Sequence, residues 1–491
     1  MRLAIVIHLT GVLVRLFSGA FLAPFAVALY YGERHDAGGF VLAATIALVA
    51  GHLMRRVAEE PRDLRRVEGM AVVAGTWLLA AIVGAVPYVW AHVPPIDALF
   101  ESMSGLTTTG ATTFADFSQF GRGIFFWRSL TQWLGGLGVI ALFVAILPRL
   151  AIGGRQLFFA EAPGPTDEKL TPQIRKTATA LWLLYAGLTG AETLSLHLVG
   201  LPWFDAICHA FTTLAAGGFS PHPLSIMGYE NHAAEWIITG FMFLAGANFA
   251  LQVRVLRGRP LALVRDEEFR AYAGFVLASA ALGAMFLWRE GAALADAARL
   301  SVFQVVSILT TTGYASDDFQ LWNDQARMVL LALMFIGGCA GSAAGGPKVV
   351  RHVLIARYTL RELKRTLHPR AILPVKLGGR TVPDDVMRGV LVFFLFYLLV
   401  FAVCTVTVVS LGTDILTGIS ASIATLGNIG PGFNLVGPMA HYAHLHPVSK
   451  LVLTAAMWVG RLEVLTVLAI LRPEVWKTAR WQTAPPGQPL V

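Results

Sequence analysis

The feature that most constrains this chain is a short glycine-ending stretch that occurs four times. It reads Leu106-Thr107-Thr108-Thr109-Gly110, then Leu214-Ala215-Ala216-Gly217-Gly218, then Leu309-Thr310-Thr311-Thr312-Gly313, and last Leu426-Gly427-Asn428-Ile429-Gly430. All four fit Leu-x-x-x-Gly, and the final glycines lie 108, 95 and 117 residues apart. Self-similarity along a chain is the mark of a repeated structural unit. One such match among 48 glycines would carry little weight. Four in one context predict four copies of a unit around a common axis.

The long apolar runs around these stretches place them in a bilayer. Of the 491 residues, 56% are hydrophobic and 14% charged, against about 25% charged in soluble domains. At membrane depth, bare backbone is tolerated only where it lines a cavity or is buried in protein. A cation that sheds its water can be held there by rings of backbone carbonyls. Glycine reaches the angles that turn successive carbonyls inward, and threonine adds hydroxyls. The net charge of +8 does not point to nucleic acid, because the arginines sit in short loops between apolar runs. Cys208, Cys339 and Cys404 are far apart in apolar or glycine-rich segments and read as small hydrophobes.

The pattern predicts an all-α polytopic membrane protein with about ten transmembrane helices and four half-helices. Residues 1–66 form an N-terminal two-helix extension, with helices over about 3–31 and 39–54, the first retained and not a signal peptide. Arg15, inside the first, reads as paired in the bundle or reaching an interface. Four repeats follow, over 67–172, 173–262, 263–380 and 381–491. Each reads helix, half-helix, filter strand, closing helix. The opening helices fall near 70–92, 178–199, 271–289 and 387–411. The half-helices start near Asp97, Asp205, Asp296 and Asp414, with Asp97 and Asp205 as caps. Ten residues at 1.5 Å rise make about 15 Å, half a bilayer core. The closing helices are expected over 122–146, 235–255, 326–361 and 450–471. Arginine and lysine gather in 55–66, 149–176, 254–270, 348–380 and 472–480, all on one side if the helices alternate. The positive-inside rule then makes both termini cytoplasmic, with the filters opening outward. Trp90, Trp203, Trp288 and Trp322 fall at outer ends, as an aromatic belt would.

Two further features stand out. Gly337, Gly338, Gly341, Gly345 and Gly346 surround Ser342 inside an expected closing helix. Glycine costs about 1 kcal/mol per residue in a helix interior, so the helix should break there. Arg461 lies eleven residues after Lys450, about 16 Å into the last helix, too deep for easy snorkelling. It is either paired, with Glu463 the nearest candidate, or beside a water-filled path. Lys348 reads as solvated near the basic cluster, and His209 and His222 as incidental. The sequence shows no phosphate loop, catalytic triad or metal cluster, so neither an enzyme nor a cofactor is expected.

Four stretches identify a resemblance. They are Trp127-Arg-Ser-Leu-Thr-Gln-Trp-Leu-Gly-Gly136, Ala160-Glu-Ala-Pro-Gly-Pro165, Gly337-Gly-Cys-Ala-Gly-Ser342 and Gly460-Arg-Leu-Glu463. In this order they resemble the TrkH/KtrB family of bacterial potassium uptake subunits, on its TrkH-like side, over nearly the whole chain. The resemblance implies one pore per subunit and a homodimer in the inner membrane. It also implies a cytoplasmic TrkA-like ring of nucleotide-binding regulatory subunits. By the same likeness the potassium filter comprises Thr108, Thr109, Gly110, Ala216, Gly217, Gly218, Thr311, Thr312, Gly313, Asn428, Ile429 and Gly430. The glycine cluster would then be an intramembrane gate below the filter, with Arg461 restricting flow. In related transporters serine at the first filter glycine goes with sodium, so Gly110 points to potassium. Two departures stand against the pattern: Ala215-Ala216 where hydroxyls are usual, and Ala343-Ala344 with Pro347 in the gate segment. The alternative reading is a sodium- or proton-coupled secondary transporter, which broken helices and repeats would also suit.

Overall fold

The structure is a computed structural model, and it describes residues 1–58, 64–145, 170–371, 373–464, 467 and 473. Helices dominate. In chain order they are α1 (Leu3–Phe17), α2 (Leu22–Tyr30), α3 (Arg34–Arg55), α4 (Arg66–Gly84), α5 (Val86–Trp90), α6 (Pro95–Leu106) and α7 (Arg122–Ala145). Next come α8 (Leu170–Leu198), α9 (Trp203–Leu214), α10 (His232–Ala245), α11 (Phe249–Leu256), α12 (Leu261–Arg265), α13 (Glu267–Arg289) and α14 (Leu294–Leu309). The last five are α15 (Asp324–Leu333), α16 (Val349–Leu367), α17 (Asp384–Ser410), α18 (Ile415–Leu426) and α19 (Pro447–Arg461). One antiparallel ribbon, β1 (Lys376–Leu377) and β2 (Arg380–Thr381), lies in the basic segment between α16 and α17.

Among the described residues, five spans are long and apolar enough to cross a bilayer: Leu3–Tyr30, Arg34–Arg55, Val67–Trp90, Glu267–Arg289 and Asp384–Ser410. The first joins α1 and α2 through one 3-10 turn. The pair α10 and α11 is apolar enough taken together, but is bent by 102° at its break, as in a broken span or a re-entrant loop. Helices α7 and α8, with 24 and 29 residues, are also long enough to cross. This is an all-α, multi-pass membrane protein. The motif at Ala160–Pro165, the basic stretches 149–169 and 474–480, and most of the expected end of the last helix lie outside the described residues.

The expected boundaries shift where tertiary contacts intervene. Helix α3 begins at Arg34, not near residue 39, because Glu33 turns back to accept from the Arg122 and Gly123 amides at 2.6 and 2.8 Å. The second closing helix is not continuous over 235–255. It breaks after Ala245 and resumes at Phe249, bent by 102°. Asn248 caps the new segment, its side chain accepting from Ala250 and Leu251 amides. The third closing helix stops at Leu333 and resumes at Val349, as the glycine cluster implied. The fourth stops at Arg461, with Glu463 at φ 65°. Three of the aromatic-belt tryptophans are exposed, at 39% for Trp90, 53% for Trp203 and 55% for Trp288. Trp322 is instead buried, because its indole donates to Asp317 Oδ2 at 2.7 Å. All three cysteines are buried and free.

Candidate functional site

Four short helices, α6, α9, α14 and α18, end at the four repeated stretches. Each ends in the same backbone lock. The Thr108 and Thr109 amides donate to the Gly105 and Ser104 carbonyls at 3.0 and 2.8 Å. The pattern recurs at Ala216 and Gly217, at Thr311 and Thr312, and at Asn428 and Ile429. These are Schellman ends, which place the residue after the cap in the left-handed region. Glycine normally takes that place, yet here it is Thr108, Ala216, Thr311 and Asn428, with φ between 52° and 59°. Two residues later the chain turns again at Gly110, Gly218, Gly313 and Gly430, with φ from 76° to 102°.

These glycines interlock in a closed cycle. A Cβ on Gly110 would collide with the Gly217 carbonyl oxygen, and one on Gly218 with that of Thr312. A Cβ on Gly313 would strike the Ile429 oxygen, and one on Gly430 the Thr109 oxygen. Each strand therefore packs its glycine on the preceding-residue carbonyl of the next, and the fourth returns to the first. All four glycines line one vestibule, together with Thr112, Phe219, His222 and Tyr442. Each strand leaves the C-terminus of a short helix, whose partial negative charge favours a cation.

The strands are braced differently. Thr107 and Thr109 hydroxyls pair at 2.8 Å, as do those of Thr310 and Thr312. The Asn428 amide donates to Thr109 Oγ1 and to the Met457 carbonyl, both at 3.0 Å. Strand 2 is held from outside, by Gln132 of α7. Tyr442 donates to the Gly430 carbonyl at 2.8 Å.

The segment 334–348 lies against the inner ends of these strands. The Gly345 amide donates to Thr311 Oγ1 at 2.6 Å, and a Cβ on Gly345 would meet the Gly427 oxygen and Asn428. Gly337, Gly341 and Gly346 have φ of 83°, 74° and 71°, which explains the glycines. Gly338 sits under the Gly246 carbonyl, and Ser342 Oγ donates to the Cys339 carbonyl. Three backbone bonds stitch the segment to the break between α10 and α11. Cys339 donates to Gly246 at 2.9 Å, Ala343 to Ala245 at 3.1 Å, and Phe249 to Gly341 at 3.0 Å.

Arg461 points at this segment and donates to the Ala343 carbonyl at 2.9 Å. It is 5% exposed, and its Nε and Nη2 meet no partner among the described residues. Of the two readings of Arg461, pairing with Glu463 is absent among the described residues, since Glu463 binds Arg351 at 2.9 Å. The reason is the left-handed turn at Glu463, which ends the helix and swings that side chain away. Lys348 is also not simply solvated: its ammonium folds onto the Ala344 carbonyl. Asp97 and Asp205 are not side-chain caps. Pro94 and Pro202 hold those cap positions, and Asp97 pairs with Lys450. Asp414 does cap α18, at Thr417 N. His209 bonds to Ser220 Oγ at 3.1 Å, and His222 lines the vestibule.

Several structural residues are not singled out by the sequence reading. Arg128 binds Glu101 at 2.8 Å in full burial, and Glu101 holds the Thr113 amide at 2.8 Å. Glu268 accepts from the Ala340 and Val350 amides at 2.7 and 3.2 Å, tying the middle of the glycine-rich segment to the start of α16. A buried carboxylate in a membrane helix was the available clue. Among the described residues, no group of three His, Cys, Asp or Glu could hold a metal.

Known proteins share this architecture. A family profile described as TrkH, cation transport protein, matches residues 40–284 and 290–477. The Trk system potassium uptake protein TrkH of Salmonella typhimurium is 40% identical over 97% of this chain and all of its own length. The Escherichia coli TrkH is also 40% identical over the same shares, and the E. coli TrkG is 34% identical. The crystal structure of the potassium transporter TrkH from Vibrio parahaemolyticus superposes with a TM-score of 0.89 at 36% identity. It covers 97% of this chain and 100% of that one. With a family match over most of its length and full-length relatives at this identity, the chain belongs to the TrkH family of cation transport proteins, which are transporters and not enzymes.

Proposed function

We propose that this protein takes up potassium across a bacterial inner membrane through a filter of backbone carbonyls. The observation that carries the reading is the closed cycle of Gly110, Gly218, Gly313 and Gly430, each on the next strand's carbonyl. That packing holds four oxygens around one axis, so a dehydrated ion meets ligands on all sides. The names of the relatives supply potassium as the ion. Filter residues are Thr108, Thr109, Gly110, Ala216, Gly217, Gly218, Thr311, Thr312, Gly313, Asn428, Ile429 and Gly430. The loop with Gly337, Gly338, Gly341, Ser342, Gly345 and Gly346 acts as the gate, and Arg461 restrains flow through its charge. Potassium is the cargo, held only at filter residues. The subunit works as a homodimer, with a TrkA-like nucleotide-binding ring on its basic face and both termini cytoplasmic.

The test is growth of a potassium-uptake-deficient bacterium on limiting potassium, with and without a TrkA-like regulatory subunit. Rescue is expected, along with saturable potassium influx. Arg461→Ala should raise that influx several-fold, because a buried charge beside the path opposes cations. Failure of the wild-type chain to rescue in either background would remove the potassium reading.

A further inference from the structure

Strand 2 lacks the side chains that brace strands 1 and 3. Where those carry Thr107 with Thr109 and Thr310 with Thr312, strand 2 has Ala215 and Gly217. The space is filled by a side chain from another repeat. Gln132, on α7 and fully buried, donates from Nε2 to the Gly217 carbonyl at 2.7 Å. Its Oε1 accepts from the Phe219 amide at 3.1 Å. These two bonds bracket Gly218, and only one orientation of the amide satisfies both. A Cβ on Gly217 would collide with the Gln132 amide group. Gly217 is also outside the left-handed region, so steric room and not backbone angle makes it glycine.

The Gly217 oxygen is one of the four that close the cycle. A carbonyl has two acceptor directions, so it can hold the Gln132 amide and still face an ion. We infer that Gln132 is a positioning residue for cation selection. It stands in for the missing threonine of strand 2 and sets the direction and strength of the Gly217 carbonyl at the pathway. This inference rests on the carbonyl-filter reading above.

The experiment compares potassium with sodium uptake for the wild type and four variants in the uptake-deficient bacterium, normalised to folded protein in the membrane. Gln132→Leu removes both bonds. Gln132→Glu keeps the acceptor toward Phe219 but turns an oxygen on the Gly217 carbonyl. Each should lower the potassium-to-sodium ratio about tenfold, as expected when a buried hydrogen-bonded group loses its partner. Gly217→Thr alone should lose uptake by collision with Gln132. Adding Gln132→Ala to Gly217→Thr should restore the ratio to within about threefold of wild type, a coupling that a general packing defect would not show. Wild-type ratios in both single Gln132 variants, or a double variant no better than Gly217→Thr, would overturn the inference. A wild type that prefers another monovalent ion would refute the potassium reading alone. The same set of variants, scored on that ion, would still decide the role of Gln132.

Discussion

At the residue scale the unusual positions are not the four repeat glycines but the residues two places before them. Left-handed backbone costs a residue with a side chain roughly 1–2 kcal/mol. Thr108 accepts that cost with a hydroxyl that finds no partner among the described residues, whereas the Thr311 hydroxyl accepts the Gly345 amide. Thr108→Gly should therefore relieve strain, offset in part by about 0.5–1 kcal/mol of added chain entropy. A small rise in Tm in detergent is expected. Thr311→Gly should not raise Tm, because it strands the Gly345 amide. Equal shifts in both variants would reject this account. The glycines were legible from sequence because only they suit φ near 80° beside a neighbouring carbonyl. The threonine, alanine and asparagine positions were not, because nothing in their chemistry announces a left-handed turn.

At the scale of elements, three closing helices break beside the starts of the four glycine-ended strands. The break within 334–348 could be read from its glycines. The break at 246–248 could not, because Ala245 and Gly246 leave the helix by giving their carbonyls to residues about ninety positions away. Glu268 anchors the same assembly through two backbone amides. Glu268→Leu would leave both amides buried and unpaired, at about 1–3 kcal/mol each. The expected result is a Tm lower by several degrees together with faster, unregulated cation influx. A variant with unchanged Tm and influx would show that the loop does not depend on this carboxylate.

At the scale of the molecule, the N-terminal pair α1 and α3 packs at the edge of the pore unit. Arg2 is tied to Glu68 at 2.7 Å, and α1 meets α3 where Gly11 and Gly51 let the backbones touch. Helix α16 is basic, and it ties Arg361 to Asp384 and Arg357 to Glu267. The charge asymmetry predicts that its side is cytoplasmic. Cysteines placed singly at Arg370 and at Leu435, in a chain cleared of Cys208, Cys339 and Cys404, would check it. An impermeant thiol reagent added outside intact cells should label position 435 and not 370. The reverse pattern would invert the topology.

Composition and repetition along the chain were enough to establish a membrane-spanning helical protein with four glycine-ended stretches facing one centre. Both signals are local: they depend on which residues follow each other, not on which ones meet. The brace from Gln132, the anchor at Glu268, the release of Glu463 to Arg351 and the stitched break at Gly246 all join residues far apart in sequence. Such pairings are chosen when packed helices bring particular polar atoms within hydrogen-bond reach in a medium that offers no water. Only the folded arrangement decides them.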